Sequence, residues 1–200
     1  MKQLSSFFLS LILSGPILAN PVEELEPVGS ATLKVLFWSI YSSTLYTDDG
    51  IYTGIEPDLA LQITYRRRIS KIDLLDRTEE EWENTSRNQR SWKGWLTQLD
   101  KILPDVERGD VLVLRVSNSL ASQFFFNNSL IGTIEDQDFT KDFLALWLSE
   151  RSSYPKLRNK LVNGAVIIPF LTNFKSRSHA AASIRTGGKP PLSLLGRSLL

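Results

Sequence analysis

The side chains that most often carry enzyme chemistry are scarce in this sequence. Cysteine is absent, which excludes disulfides, thiolate metal sites and cysteine nucleophiles. The single histidine, His179, lies in a basic C-terminal stretch outside any patterned element. A catalytic triad and an imidazole metal site are therefore not expected, and neither a metal nor a cofactor is predicted.

The remaining polar clusters have ordinary structural explanations. Asp48-Asp49-Gly50 lacks the alternating oxygen ligands of a calcium loop and predicts a turn. Arg66-Arg67-Arg68 follows a predicted strand, and with a net charge of +1 for the chain no nucleic-acid partner is expected. No reaction follows from these residues alone, so the fold has to show where a site could form.

The elements that would position a site are organised around residues 107–148. Short apolar runs rich in β-branched and aromatic residues are separated by Asn, Ser and Gly, which predicts an antiparallel meander. A helical pattern opens at Asp136 and runs to about Glu150, with Phe139 and Phe143 on one face. This helix needs a surface to cover, so the pattern predicts an α+β fold with helices on one face of an antiparallel sheet.

Three further strands are predicted before this stretch, at residues 29–37, 40–46 and 59–66, with Trp38-Ser39 as a tight turn or bulge. The third strand alternates cleanly, so one of its faces is expected to be buried. That face carries Leu59, Leu61, Ile63 and Tyr65.

A long helical region follows the third predicted strand. Thr78-Glu79-Glu80-Glu81 matches a capping box, and Pro104 stops the helical pattern. Four tryptophans lie in or next to the predicted helices, where core packing against the sheet is favoured over a lid above an apolar cavity. They are Trp82, Trp92, Trp95 and Trp147.

Both ends of the chain differ from the middle. Lys2, an apolar segment at residues 4–18 and Ala19 predict a signal peptide over residues 1–19, shorter than the roughly 20 apolar residues of a membrane span. Export is therefore predicted, to the periplasm if the source is Gram-negative, with no stable span after cleavage. A domain over residues 28–163 precedes a basic, mostly disordered tail at 164–200, which is favoured as a linker over a lipid-binding segment.

The order of several short motifs resembles that of the bacterial chalcone isomerase-like proteins, over about residues 28–163. The motifs are Val28-Gly29-Ser30-Ala31, Ile40-Tyr41-Ser42-Ser43-Thr44-Leu45-Tyr46, Ala60-Leu61-Gln62-Ile63-Thr64-Tyr65, Arg108-Gly109-Asp110, Leu130-Ile131-Gly132, Phe143-Leu144-Ala145-Leu146-Trp147-Leu148 and Tyr154-Pro155-Lys156-Leu157-Arg158-Asn159-Lys160-Leu161. The resemblance implies an open-faced β-sandwich, in which a curved antiparallel sheet packs against a layer of helices.

The resemblance also bears on activity. True isomerases of this superfamily close a chalcone to a flavanone with an arginine near the first strand, whereas another branch binds fatty acids through a basic residue and a tyrosine. Lys34 stands at the arginine position and lacks the planar guanidinium fork. No residue matches the catalytic tyrosine or asparagine, so no catalytic residue is predicted. The predicted ligand-binding residues are Lys34, with Tyr41 or Tyr65 as hydroxyl donor.

Three functions remain open at this point. The first is a non-catalytic, monomeric exported protein that binds a small apolar or fatty-acid-like ligand between sheet and helices. The second is an intramolecular lyase, or isomerase, acting on an α,β-unsaturated carbonyl compound. The third is a structural or partner-binding module. An apolar cavity with a convergent cation would favour the ligand-binding protein. A tyrosine or asparagine near that cation would favour the lyase or isomerase. A filled core would favour the structural or partner-binding module.

Overall fold

The computed structural model describes residues 20–85 and 92–164. The predicted signal peptide at residues 1–19 and the predicted tail beyond Gly164 lie outside the described residues. The described strands are β1 (Glu26–Val35), β2 (Trp38–Thr47), β3 (Ala60–Tyr65), β4 (Val111–Val116), β5 (Ser122–Phe126) and β6 (Ser129–Ile134). The described helices are α1 (Lys71–Thr85), α2 (Trp92–Ile102), α3 (Gln137–Leu148) and α4 (Pro155–Asn163).

All six strands form one sheet in sequence order, β1 to β6, and every neighbouring pair is antiparallel. The register places Tyr41 opposite Tyr65 and Ile63 opposite Leu112. Side chains alternate across a strand, so Leu61, Ile63 and Tyr65 share the face that the helices cover. The predicted α+β class, a curved antiparallel sheet packed against a layer of helices, is confirmed.

The second face of the sheet is partly covered by the chain that enters β1. Val22 and Leu25 are buried there against Ala60 and Val113. Arg115, also on this face, donates to the carbonyl oxygen of Pro21 at 3.2 Å. Among the described residues, no helix covers this face, as in an open-faced sandwich.

Three of the four helical tryptophans belong to the core. Trp82, Trp92 and Trp95 are at most 7% exposed. Trp82 stacks on Trp92 at 6.3 Å between ring centroids and meets the edge of Phe139 at 6.2 Å. Core packing is thus confirmed for these three residues, which place a rigid aromatic layer behind the sheet.

Two predicted boundaries were wrong. The first helix begins at Lys71 rather than near Thr78, whose hydroxyl donates to the carbonyl oxygen of Leu74 inside the helix. The capping box lies upstream, where Ser70 Oγ accepts from the backbone N–H of Asp73 and donates to its carboxylate. Trp38-Ser39 is not the turn between the first two strands, because both residues belong to β2. The predicted alternative, a bulge, is close to what is found: the register shifts directly after Ser39, since Lys34 pairs with Ser39 and Leu33 with Tyr41.

Candidate functional site

A cavity of about 660 Å³ lies between the sheet and the helices. Its walls come from β1 to β5, from residues 67–69, from α1 and α3 and from Leu103 and Tyr154. Most of the lining is apolar, and the volume lies within the roughly 300–1,000 Å³ of ordinary ligand sites. The apolar lining residues are Leu33, Val35, Ile40, Leu61, Ile63, Ile69, Leu74, Leu103, Leu112, Leu114, Phe124, Phe143, Leu146 and Trp147.

The period of two along the strands explains this lining. Leu61, Ile63 and Tyr65 occupy alternate positions of β3, and Leu112 and Leu114 follow the same rule on β4. The helices supply the opposite wall through α1 and α3, where Phe143 and Trp147 are one turn apart. The cavity is therefore a gap left between the apolar face of the curved sheet and bulky helical rings.

Tyr41 and Tyr65 both line this cavity and lie next to each other. Their rings meet edge to face, with 6.5 Å between centroids. Burial raises the pKa of both phenols well above the usual 10, so both hydroxyls stay protonated throughout the physiological range. The Tyr41 hydroxyl accepts a hydrogen bond of 2.9 Å from Trp147 Nε1 and keeps its own proton to donate.

The Tyr65 hydroxyl differs from that of Tyr41 in having no hydrogen-bond partner within the described residues. The residue itself is 4% exposed, and its pKa shift comes first from burial and then from the neighbouring Tyr41. Among the described residues, Trp92 Nε1 is the one fully buried side-chain N or O atom that lacks a hydrogen-bond partner, so the Tyr65 hydroxyl is open to the cavity. Tyr65 therefore presents a hydrogen-bond donor to whatever occupies the cavity.

The charged part of the wall is centred on Arg77 of α1. Its guanidinium pairs with Glu80 at 2.8 Å and with Glu81, and it donates to the Tyr154 hydroxyl at 2.7 Å. Glu81 is buried and also accepts from Ser153 Oγ at 2.6 Å. Partial burial opposes the charge of Arg77, but its bond to Glu80 and its other partners outweigh this, so the Arg77 pKa is raised.

Lys34 does not join this group. It is exposed on β1, between Leu33 and Val35, and these two neighbours line the cavity while Lys34 does not. The same alternation that turns Leu33 and Val35 inward sends Lys34 to the other side of the strand. It lines a neighbouring depression beside Lys156 and Lys160 of α4, which shares Leu33 and Tyr154 with the cavity. The structure thus brings the two predicted tyrosines together and leaves the predicted lysine apart.

Sequence reasoning missed the polar network of the cavity formed by Arg77, Glu81 and Tyr154, and it also missed the other polar lining residues, which are Arg67, Arg68, Asp73 and Thr78. The acidic run at residues 79–81 was taken for the start of a helix, which left Arg77 outside it. The available signal was the spacing of Arg77 to Glu80 and Glu81, i to i+3 and i+4, which is that of ion pairs along a helix. Tyr154 had no local signal, because its contact with Arg77 spans 77 residues.

Within residues 20–85 and 92–164, no group of three or more His, Cys, Asp or Glu side chains is arranged to hold a metal ion. Among the same residues, no helix combines the length and the apolar character that a membrane crossing requires.

Comparisons with known proteins agree with this architecture. A family model described as chalcone isomerase-like matches residues 22–163. A protein of Haemophilus influenzae, described as an uncharacterized protein, is 24% identical over 148 residues, which cover 72% of this chain and 71% of the relative. A crystal structure of a fatty-acid binding protein of Arabidopsis thaliana superposes with a TM-score of 0.55 at 11% identity, covering 70% of this chain and 88% of that one. At this identity the structural likeness concerns the fold.

Proposed function

The chain belongs to the chalcone isomerase-like family, and we propose that it is a non-catalytic member that binds a small apolar ligand with an extended chain, such as a fatty acid. The observation that carries the proposal is the apolar cavity of about 660 Å³ with Tyr41 and Tyr65 side by side in its wall. The Arabidopsis protein of the same fold is by its name a fatty-acid binding protein, which makes an acyl chain the first ligand to test.

The apolar walls supply most of the binding free energy in this proposal. Leu61, Ile63, Leu112 and Leu114 form a continuous strip on the sheet, and Phe143 faces it from α3. Each methylene group that leaves water contributes about 0.8 kcal/mol. Binding of an alkyl chain therefore depends mainly on how much of its length the cavity holds.

In this proposal the polar end of the ligand lies beside the hydroxyl donors Tyr41 and Tyr65. It does not lie beside Arg67 and Arg68, the arginines of the cavity wall that form no ion pair among the described residues. Arg77 already pairs with Glu80 and Glu81, so it offers little net charge to a carboxylate. Tyr41 and Tyr65 remain protonated and can each donate one hydrogen bond. A neutral hydroxyl or carbonyl head group is consequently accepted nearly as well as a carboxylate.

Lys34, the cation first expected at the head group, has no part in this arrangement because it does not line the cavity. We assign the contact with the polar head group to Tyr41 and Tyr65. Arg77 holds the neighbouring polar side chains in place through its own hydrogen bonds and ion pairs.

The test compares ligands of equal chain length, dodecanoic acid and dodecanol, by isothermal titration with the wild type, Tyr65→Phe and Lys34→Ala. Both ligands should bind, with affinities within about tenfold, since one hydrogen bond contributes about 1 kcal/mol. Tyr65→Phe should weaken both ligands, and Lys34→Ala should weaken neither. Strong preference for the acid that disappears in Lys34→Ala would contradict the proposed head-group site.

An isomerase remains the second candidate because one observation favours it: the Tyr154 hydroxyl lies 2.7 Å from Arg77. The guanidinium is, however, held by Glu80 and Glu81, and no asparagine occurs among the described residues that line the cavity. The protein should therefore not accelerate the cyclisation of a chalcone above its spontaneous rate, measured as loss of chalcone absorbance. An acceleration that Arg77→Gln abolishes would establish the isomerase instead.

The proposal includes export of the protein. Its support is the pattern of Lys2, the apolar residues 4–18 and Ala19. N-terminal sequencing of the protein from its own cells should give a chain that starts at Asn20 or within a few residues of it. Intact Met1 on the cytosolic protein would refute export without affecting the ligand proposal.

A further inference from the structure

The turn between β1 and β2 exposes a run of four apolar side chains to solvent. Val35, Leu36, Phe37 and Trp38 are 49%, 86%, 95% and 71% exposed. Leu36 has a φ of 54°, in the left-handed region that a leucine rarely adopts, so the chain holds these side chains outward at some conformational cost. We propose that this hairpin tip, defined as residues 35–38, docks the protein on the surface of an anionic lipid bilayer.

The hairpin tip lies at the mouth of the cavity. Val35, its first residue, lines the cavity, and so does Ile40, two residues beyond its end. The backbone N–H of Arg66 donates to the carbonyl oxygen of Ile40 at 2.9 Å, so the chain leaving β3 runs beside the base of the tip. Arg67 and Arg68, the next two residues, also line the cavity. The apolar tip, two arginines and the opening therefore share one end of the sheet.

The charges at this end favour an anionic surface. Arg67 and Arg68 are exposed and form no ion pair within the residues described. The acid in the same part of the cavity wall, Asp73, is engaged by Ser70 at the start of α1. Exposed aromatic and aliphatic side chains flanked by free cations are the combination that inserts into the interfacial layer of an anionic membrane.

A second copy of the chain fits this surface less well. A two-fold contact between hairpin tips would place equivalent patches against each other. Arg67 and Arg68 of one copy would then approach the same residues of the other, and among the described residues no acid pairs with either arginine. An anionic bilayer can bind both features, because the apolar tip inserts into the interfacial layer while the arginines contact the anionic head groups.

Docking in this orientation would turn the cavity mouth toward the lipid. An alkyl chain could then pass between bilayer and cavity with little exposure to water, where each exposed methylene is unfavourable. This consequence rests on the proposed ligand binding, whereas the docking itself rests only on the exposed tip and the arginines.

Trp38 allows a site-specific test, because it is the exposed one of the five tryptophans. The full chain is mixed with vesicles of phosphatidylcholine alone or of phosphatidylcholine and phosphatidylglycerol at 7:3, with and without brominated acyl chains. We expect the brominated anionic vesicles to quench a fraction of the fluorescence that is missing in Trp38→Phe. Equal quenching in the wild type and Trp38→Phe would overturn the proposal, because the tip would then not be in the bilayer.

Variants separate the contributions of the tip and of the arginines. Leu36→Ser/Phe37→Ser should lower vesicle affinity by tenfold or more in co-sedimentation, and Arg67→Gln/Arg68→Gln by roughly fivefold per arginine on anionic vesicles alone. Leu130→Ser is the matched control, because Leu130 is also exposed, at 55%, but lies on β6 at the opposite edge of the sheet. Affinity that falls equally in the control, or that is unchanged in both tip and arginine variants, would contradict the assignment.

Two readouts keep the alternatives apart. If the tip serves a second copy, sedimentation equilibrium without lipid will show a dimer that Phe37→Ser dissociates, and the membrane proposal fails. Binding of dodecanol in solution should be unchanged in Leu36→Ser/Phe37→Ser, since neither residue lines the cavity. If the wild type binds dodecanol but not vesicles, the docking proposal is wrong. If it binds vesicles but not dodecanol, the ligand proposal is wrong.

Discussion

Tyr41 and Tyr65 occupy neighbouring places on one cavity wall, and a single hydrogen bond distinguishes them. The Tyr41 hydroxyl accepts a hydrogen bond from Trp147 Nε1, whereas the Tyr65 hydroxyl has no hydrogen-bond partner among the described residues. The first hydroxyl therefore supports the structure and can also donate to a ligand, whereas the second is available to a ligand alone. The difference gives the two residues different roles in stability although both lie on neighbouring strands.

This difference predicts opposite effects of the same substitution on stability. Tyr41→Phe should lower the free energy of unfolding by about 1–3 kcal/mol, because the partly buried Trp147 N–H loses its acceptor. Tyr65→Phe should leave the free energy of unfolding unchanged or raise it, because no hydrogen bond is lost. Chemical denaturation of both variants measures this. Equal destabilisation by the two substitutions would show that Tyr65 has a structural role of its own.

At the residue scale, the sequence could predict the tyrosines better than the charges. The position of Tyr65 follows from the alternation of β3, which needs no knowledge of distant contacts. Arg77 could not be placed, because its role depends on where α1 begins and on Tyr154, 77 positions away. Lys34 was assigned by resemblance to a position whose side chain the strand period directs away from the cavity. The local pattern was thus a better guide than the aligned motif.

Helix α3, the element that carries Phe143 and Trp147 into the cavity wall, is fixed at its start by Asp136. The Asp136 carboxylate accepts from the backbone N–H groups of Asp138 and Phe139 and, at 2.9 Å, from Trp95 Nε1. The hydrogen bond from Trp95, followed by those from the backbone, holds the Asp136 pKa below its usual 3.8. The Asp136 side chain thus connects the start of α3 to α2 by hydrogen bonds.

We therefore expect Asp136→Ala to cost about 1–3 kcal/mol, from the lost cap and the unpaired indole N–H. Asp138→Ala, which removes an acid from the same helical turn but no cap, should cost about 0.5 kcal/mol. A lowered pKa in the folded state contributes stability above the unfolded pKa and loses it as the pH falls through the folded value. The difference in melting temperature between wild type and Asp136→Ala should accordingly shrink below about pH 3.8, and a difference that grows in acid would contradict this.

Two glycines test how closely the elements pack. A Cβ on Gly29 of β1 would overlap the backbone carbonyl oxygens of Lys160 and Leu161 in α4, whereas a Cβ on Gly94 of α2 would meet nothing within 4 Å. Gly29→Ala should destabilise by roughly 1–3 kcal/mol, because backbone must move. Gly94→Ala should stabilise by about 0.5–1 kcal/mol, because alanine restricts the unfolded chain and favours the helix. Thermal melts of the two variants should shift in opposite directions; a neutral Gly29→Ala would show that α4 can move away from β1.

At the element scale, the meander from β4 to β6 and the face of α3 were predictable because both follow short-range periodicity. The start of α1 was not, since Thr78-Glu79-Glu80-Glu81 and Ser70-Lys71-Ile72-Asp73 both satisfy a capping pattern, and only tertiary packing selects the second. The turn at residues 36–37 was missed for a related reason. A run of apolar side chains suggests strand, and nothing local indicates that Leu36 takes a positive φ.

At the scale of the whole molecule, the sequence predicted a gap between sheet and helices but not its lining. The helical tryptophans were expected in the core, and Trp82, Trp92 and Trp95 do fill the core against each other. Only Phe143 and Trp147 of the helical rings border the cavity. The volume of a cavity depends on how closely the sheet and the helices pack, and this involves residues far apart in the sequence. No single stretch of sequence therefore predicts it.

The central claim is that this void holds an alkyl chain. A variant that fills it offers a direct test: Ile63→Phe adds bulk to the cavity wall, and Val111→Phe adds the same group on the opposite face of the sheet. Both variants must first show wild-type circular dichroism, so that a change in binding can be attributed to the cavity.

The decisive measurement is a titration of wild type, Ile63→Phe and Val111→Phe with linear alcohols and acids of increasing length, followed calorimetrically. Affinity should rise by up to about fourfold for each added methylene and then reach a plateau when the cavity is full. The plateau should come at a shorter chain in Ile63→Phe and at the wild-type length in Val111→Phe. Absence of saturable binding at every length, or a plateau that Ile63→Phe does not shorten, would contradict the account.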